Sequence, residues 1–205
     1  MELKIEYDPS RIIPVPYEQR TLDGHTDWAH RTAVDFVQAA ELHADVTARI
    51  EDALTTLAGE ADDDRRVLLV VGMDGAVVAP LIIAASLREL PRQEQADFLW
   101  SNTAILPATP RLTETDGFGV GFSATLAQRE HGYDFATRRW IFFGEGMTVC
   151  AMLGPVVPYG MAFVEPFAES LLVASSLEGF VPKQDRTRVD ELVSAVVRPG
   201  DDWQL

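Results

Sequence analysis

Between Val67 and Leu87 the chain reads VLLVVGMDGAVVAPLIIAASL, apolar at nearly every position and carrying one charge, Asp74. A run this long suits a bilayer span. Gly72, Asp74, Gly75 and Pro80 interrupt it, however, and Arg65, Arg66, Arg88 and Glu89 flank it. A Gly-Met-Asp-Gly break between two β-branched runs is a turn signal. The pattern therefore predicts two antiparallel strands, about 66–72 and 76–86, joined at Met73–Gly75. Strands apolar at every position need cover on both faces, so this hairpin is expected at the centre of a sheet. Helices should lie on at least one side, with helix, sheet or a second subunit on the other.

The other segments arrange themselves around that hairpin. Leu3, Ile5 and Tyr7 alternate with charged residues, as in a half-exposed strand. Asp8-Pro9-Ser10 turns the chain into a second extended piece, Ile12, Ile13 and Val15, whose Pro14 and Pro16 suit an edge or a departing strand. Thr26 is the expected N-cap of a long helical region, with Asp27 in its first turn. Phe36, Ala39, His43, Val46, Ile50, Ala53 and Leu57 form one face of it. A break near His43-Ala44-Asp45, with Asp45 recapping, is compatible with the pattern, and Gly59 ends it.

Ala96–Leu106 fits either a strand or a short helix, and Pro107 and Pro110 bracket a loop. Gly117, Gly119 and Gly121 alternate with Phe118, Val120 and Phe122, which reads as a strand closely approached on its glycine face. Gln128–Thr137 is polar and reads as a loop. Arg138–Phe143 and Met147–Leu153 form a hairpin about Gly144-Glu145-Gly146. Glu165-Pro166 opens a helix, with Phe167, Leu171, Ala174 and Leu177 as its stripe and Gly179 as its stop. Val189–Val197 adds a short element within a polar tail, about 183–205. The expectation is one α+β domain over 1–205: a twisted antiparallel β-sheet of hairpins packed against a long N-terminal helical region and a C-terminal helix.

Charge narrows the function. The 205 residues include 32 acidic and 17 basic side chains, a net charge of −15. Such a surface repels phosphate backbones and anionic lipid, so nucleic-acid and membrane-surface binding are disfavoured. A basic protein partner would be attracted, although acidity also serves solubility. The one cysteine, Cys150, excludes an internal disulfide. The N-terminus carries no export pattern, which makes cytoplasmic the default. Strands needing double cover also make a homodimer an expectation, testable by sedimentation.

Candidate chemistry is sparse. His25, His30, His43 and His131 lie far apart, without HExxH or a His-Cys cluster, so no metal or other cofactor is expected. Ser123 lacks the Gly-x-Ser-x-Gly elbow, and Cys150 sits among apolar strand residues where a small core side chain fits best. The glycines at 117, 119 and 121 lack both the spacing and the helix of a phosphate loop. Two features could meet a partner. One is the acidic run Asp62-Asp63-Asp64. The other is the loop Glu130–Arg139, which combines His131, Tyr133, Asp134, Arg138 and Arg139, since Tyr and Arg anchor many interfaces.

Asp27-Trp28-Ala29 near the helix start, Trp140-Ile141-Phe142-Phe143 before a glycine turn, and the Phe167–Leu177 segment resemble the Mog1/PsbP-like α/β/α sandwich family. The Ala/Asp/Val/Arg-rich composition also looks like that of a bacterial protein from a high-GC genome. The family resemblance implies a strand pair, a helix, consecutive antiparallel strands and a closing helix. It also implies a non-catalytic binding or assembly factor, and it carries over no catalytic residues. The first expectation is thus a non-enzymatic acidic interaction module: an accessory factor, a secretion chaperone or an immunity-type protein. The alternative is a small-molecule or lipid-binding domain with a cavity between sheet and helices, suggested by Phe118, Phe122, Trp140, Phe142 and Phe143. An enzyme with an unfamiliar site stands third.

Overall fold

In the computed structural model the described residues are 2–16, 25–60, 65–100, 104–106, 108 and 110–183. The Val67–Leu87 stretch forms the expected hairpin. Strands β3 (Arg65–Gly72) and β4 (Val77–Ser86) pair antiparallel from Arg65↔Ala84 to Gly72↔Val77. β2 (Ile12–Val15) pairs with β3 and forms one edge, as its Pro14 suggests. On the other side follow β8 (Met147–Val156), β7 (Tyr133–Gly144), β6 (Gly119–Glu130) and β5 (Arg111–Thr115), giving the antiparallel order β2-β3-β4-β8-β7-β6-β5. Pro80 pairs with Leu69 of β3, and the β4–β8 ladder begins only at Leu81↔Leu153. A residue without an N–H therefore sits where β4 has a single laddered neighbour.

Both faces of this sheet are covered, which accounts for the unbroken apolar runs. Leu68, Val70, Ala79, Leu81 and Ile83 turn toward α4 (Met161–Ala174) and pack with Val164, Ala168 and Leu171. Val67, Leu69 and Val71 turn the other way, onto Phe36, Val37, Ile50 and Leu54 of α1 (His25–Ala39) and α2 (Thr47–Ala58). Farther along that second face, Phe122, Ile141 and Phe143 are covered by Ala96 of α3 (Arg92–Phe98) and by Leu99. Each fully buried Leu, Ile or Val contributes about 1.5–3 kcal/mol. The chain's own helices supply both covers, so a second subunit is not needed for that purpose. Among the described residues, no helix is long and apolar enough to cross a membrane.

Several expectations need correction. The N-terminal helical region is two helices, of 15 and 12 residues, separated at residues 40–43. Leu42 N–H donates to Val37 O at 2.9 Å and Glu41 N–H to Gln38 O at 3.3 Å, with Glu41 left-handed at φ 53°. That is a Schellman stop built on glutamate instead of glycine. Asp45 lies in a 3₁₀ turn and does not cap α2, whose N-cap is Val46. Thr26 lies inside α1. α4 starts five residues before Pro166 and stops at Ala174, not at Gly179; Leu177 belongs instead to β9 (Ser176–Leu177). β9 pairs with β1 (Leu3–Lys4), a two-stranded sheet apart from the main one. Ala96–Leu106 begins in α3, and β5 was not foreseen between Pro110 and Gly117.

The glycine-rich stretch is strand only from Gly119, because Gly117 and Phe118 lie in the β5–β6 turn; the expected close approach is nonetheless seen at Gly117 and Gly121. A Cβ on Gly117 would collide with the carbonyl oxygen of Ser175, and one on Gly121 with Ile141 O and the Phe142 ring. Val189–Val197 and the tail from 184 lie outside the described residues.

Candidate binding cleft

The β1–β9 pairing, Leu3↔Leu177 and Lys4↔Ser176, ties the N-terminal segment to the far end of α4. Glu178 N–H donates to Glu2 O at 3.0 Å and extends that tie. At the other end, Asp8 reverses the chain. Its Oδ1 accepts from Ser10 N–H at 2.9 Å and from Ser10 Oγ–H at 2.7 Å, while its carbonyl accepts from Arg11 and Ile12. Residues 5–8 consequently span the flank of α4 without filling the space beneath. A cleft of about 460 Å³ is left, lined by Glu6, Tyr7, Asp8, Ile12, Phe167, Ser170, Leu171 and Ala174.

The cleft has an apolar floor and an acidic rim. Ile12 and Leu171 are buried, Phe167 is half-buried, and Glu6, Tyr7 and Asp8 are exposed. The side-chain hydrogen bond from Ser10, then the backbone one, holds the Asp8 carboxyl below its ordinary value of 3.8. Asp8 is therefore an anion at neutral pH. Among the described residues Glu6 has no hydrogen-bond or ion-pair partner. At the mouth, the Arg11 guanidinium lies 5.4 Å from the centroid of Phe167, and its Nη1 lies 3.7 Å from Asp74 Oδ1. Asp74 projects from the β3–β4 turn, where Met73, Asp74 and Gly75 are all left-handed at φ 48°, 51° and 86°. Arg49 Nη1 donates to Gly75 O at 3.0 Å and fixes that turn.

The loop expected at Glu130–Arg139 is not a loop. β6 and β7 pair from Gly121↔Phe142 to Glu130↔Tyr133, leaving a two-residue turn at His131-Gly132 with φ 51° and 84°. His131 and Tyr133 are at the exposed tip, Tyr133 being 78% exposed. Asp134 pairs with Arg129. Arg138 and Arg139 lie mid-strand and point to opposite faces, so the expected cluster is not assembled.

Arg138 is held beneath α4. Its Nε is 3.1 Å from Glu165 and its Nη2 is 3.3 Å from Glu169. Nη2 and Nη1 donate to Ser123 at 2.9 Å and Thr125 at 3.1 Å. Arg139 Nη1 donates to Phe98 O at 2.7 Å, and burial lowers its pKa. Asp62, Asp63 and Asp64 lie outside the described residues.

Among the remaining candidates, His30 Nδ1 meets Glu51 at 2.8 Å and His43 Nδ1 meets Asp45 at 2.7 Å, both on the surface. Burial pushes the Cys150 thiol up to about 12. Among the described residues no three His, Cys, Asp or Glu side chains converge as metal ligands. The five aromatics that suggested a cavity are core. Phe118, Trp140 and Phe142 pack toward α4, and Phe122 and Phe143 pack on the opposite face. No single cavity could be lined by all five.

No family model matches the chain, and no significant similarity is found among curated proteins or solved structures. Function therefore has to be argued from the cleft itself.

Proposed function

We propose that this chain is a non-enzymatic interaction module whose cleft beside α4 receives a basic, partly apolar segment of a partner protein. One observation carries the reading: two carboxylates, Glu6 and Asp8, stand over an apolar floor of Ile12, Phe167 and Leu171. A bare acidic patch attracts cations without orienting them. An apolar floor below the carboxylates adds burial of the side chain that carries the charge, as Lys and Arg stems allow. The net charge of −15 speeds encounter with a basic partner. The Mog1/PsbP-like resemblance, with its binding and assembly factors, points the same way. A cytoplasmic setting belongs to this proposal.

The test is a titration with basic and acidic peptides of equal length, at low and moderate salt. Basic peptides should bind with salt-sensitive affinity. Ser170→Trp, at an exposed α4 position that lines the cleft, should block them. Unchanged binding by Ser170→Trp would refute the reading. A second reading draws on the volume, which falls in the range of small-ligand sites. It is favoured if a compact organic cation binds and basic peptides do not.

A further inference from the structure

The position of Arg11 says which cation the cleft suits. Its guanidinium faces the ring of Phe167, a cleft-lining residue, at 5.4 Å, while Asp74 stands 3.7 Å from its Nη1. An aromatic face on one side and a carboxylate on another is a setting for a planar, weakly hydrated guanidinium more than for an ammonium. The grip on Arg11 is loose. A separation of 3.7 Å is at the outer limit of an ion pair, and Asp74 is 88% exposed. Asp74 and Asp8 both lie close enough to this arginine to feel its charge, and Glu6 adds a further carboxylate to the cleft lining.

We propose that the cleft selects arginine over lysine, and that Arg11 occupies the arginine position in the free protein as an internal competitor. This rests on the reading of the cleft as a site for a basic segment. An incoming arginine replaces Arg11 over Phe167 with no change in the kind of contact made, so the exchange leaves no aromatic face or carboxylate unpartnered. The Arg11 backbone stays pinned, its N–H to Asp8 O and its carbonyl to Val71 N–H, and only its side chain swings out to water. The internal contact weakens binding by the strength of the interaction it makes.

The experiment compares the blocked peptide Ala-Arg-Leu-Arg-Ala with its lysine counterpart, of equal charge, by calorimetry and by chemical shifts of the Arg11 side chain. The arginine peptide should bind at least about twofold tighter, and Arg11→Ala should tighten it further by roughly two- to fivefold. Phe167→Leu, which keeps most of the volume, should erase the preference. Should Arg11→Ala fail to fold by circular dichroism, Arg11→Lys replaces it and should also tighten binding. Equal affinities for the two peptides, or an unchanged affinity in the Arg11 variant, would overturn the inference. The broader reading survives that result if both peptides still bind and Ser170→Trp still blocks them; it falls separately if neither peptide binds.

Discussion

Arg138 offers an asymmetric test of how the sheet holds α4. The Arg138 side chain is 8% exposed, whereas its partners Glu165 and Glu169 are 28% and 46% exposed. Removing the arginine leaves two carboxylates that can reach water. It also removes a guanidinium 5.5 Å from the Trp140 ring and a donor to the buried Ser123 hydroxyl. Arg138→Met should therefore cost about 1–2 kcal/mol, the value of the hydrogen bond lost to buried Ser123 plus a cation–π contact, since the exposed Thr125 hydroxyl turns to water instead. Removing both glutamates instead strands a buried cation with only Ser123 and Thr125 to solvate it. Stranding a buried charge costs about 3–5 kcal/mol, and the partial exposure of the pair places E165A/E169A near 3 kcal/mol. That corresponds to a fall in melting temperature of roughly 6–12 °C for a chain of this size. Urea unfolding of the three proteins measures it, provided the slopes agree. A cost for Arg138→Met equal to or above that of E165A/E169A would show that desolvation of the arginine does not govern the cluster.

Three further outcomes follow from single positions. Gly117→Ala puts a methyl against the Ser175 carbonyl, a backbone atom that cannot step aside; urea unfolding should show a loss of roughly 2–3 kcal/mol, and wild-type stability would contradict the close approach. Cys150 is half-buried, with its thiol raised to about 12; it should label much more slowly with a thiol reagent near pH 8 in the native chain than in denaturant, and equal rates in the two states would contradict the raised thiol. Asp8, lowered by its Ser10 hydrogen bonds, contributes stability that is present above its ordinary value of 3.8 and is lost as pH falls through its lower folded value. Asp8→Asn should thus lose less stability than wild type between about pH 6 and about pH 3, a small difference because Asp8 is exposed; equal losses would contradict the assignment.

What the chain disclosed before folding was local and apolar. The β3–β4 hairpin and its burial on both faces, the β7–β8 turn at Glu145-Gly146, the edge position of β2 and the crowding at Gly117 and Gly121 all leave marks in composition and period. What stayed hidden depended on atypical or distant partners. The α1 stop uses Glu41 where glycine is the usual signal, so the helical region read as longer than it is. β5, RLTET, has one apolar residue because it forms an exposed edge, and its strand pattern is correspondingly faint. Arg138 and Arg139 read as the junction of a polar connection with a strand, whereas β7 already begins at Tyr133 and places them mid-strand. Their burial depends on α4 and on the α3 region, 27 or more residues away in sequence. The cleft was least legible of all. It exists because Leu3 meets Leu177, a pairing that no local pattern announces.

The central claim is that recognition occurs beside α4 and not at the β6–β7 tip. The most direct measurement places a photo-reactive phenylalanine analogue at Tyr7 and, separately, at Tyr133, both exposed positions. Each protein is then irradiated with the Ala-Arg-Leu-Arg-Ala peptide. Cross-linking at position 7, abolished by Ser170→Trp and absent at position 133, is the predicted result. Cross-linking at 133, or equal yields at both, would contradict it.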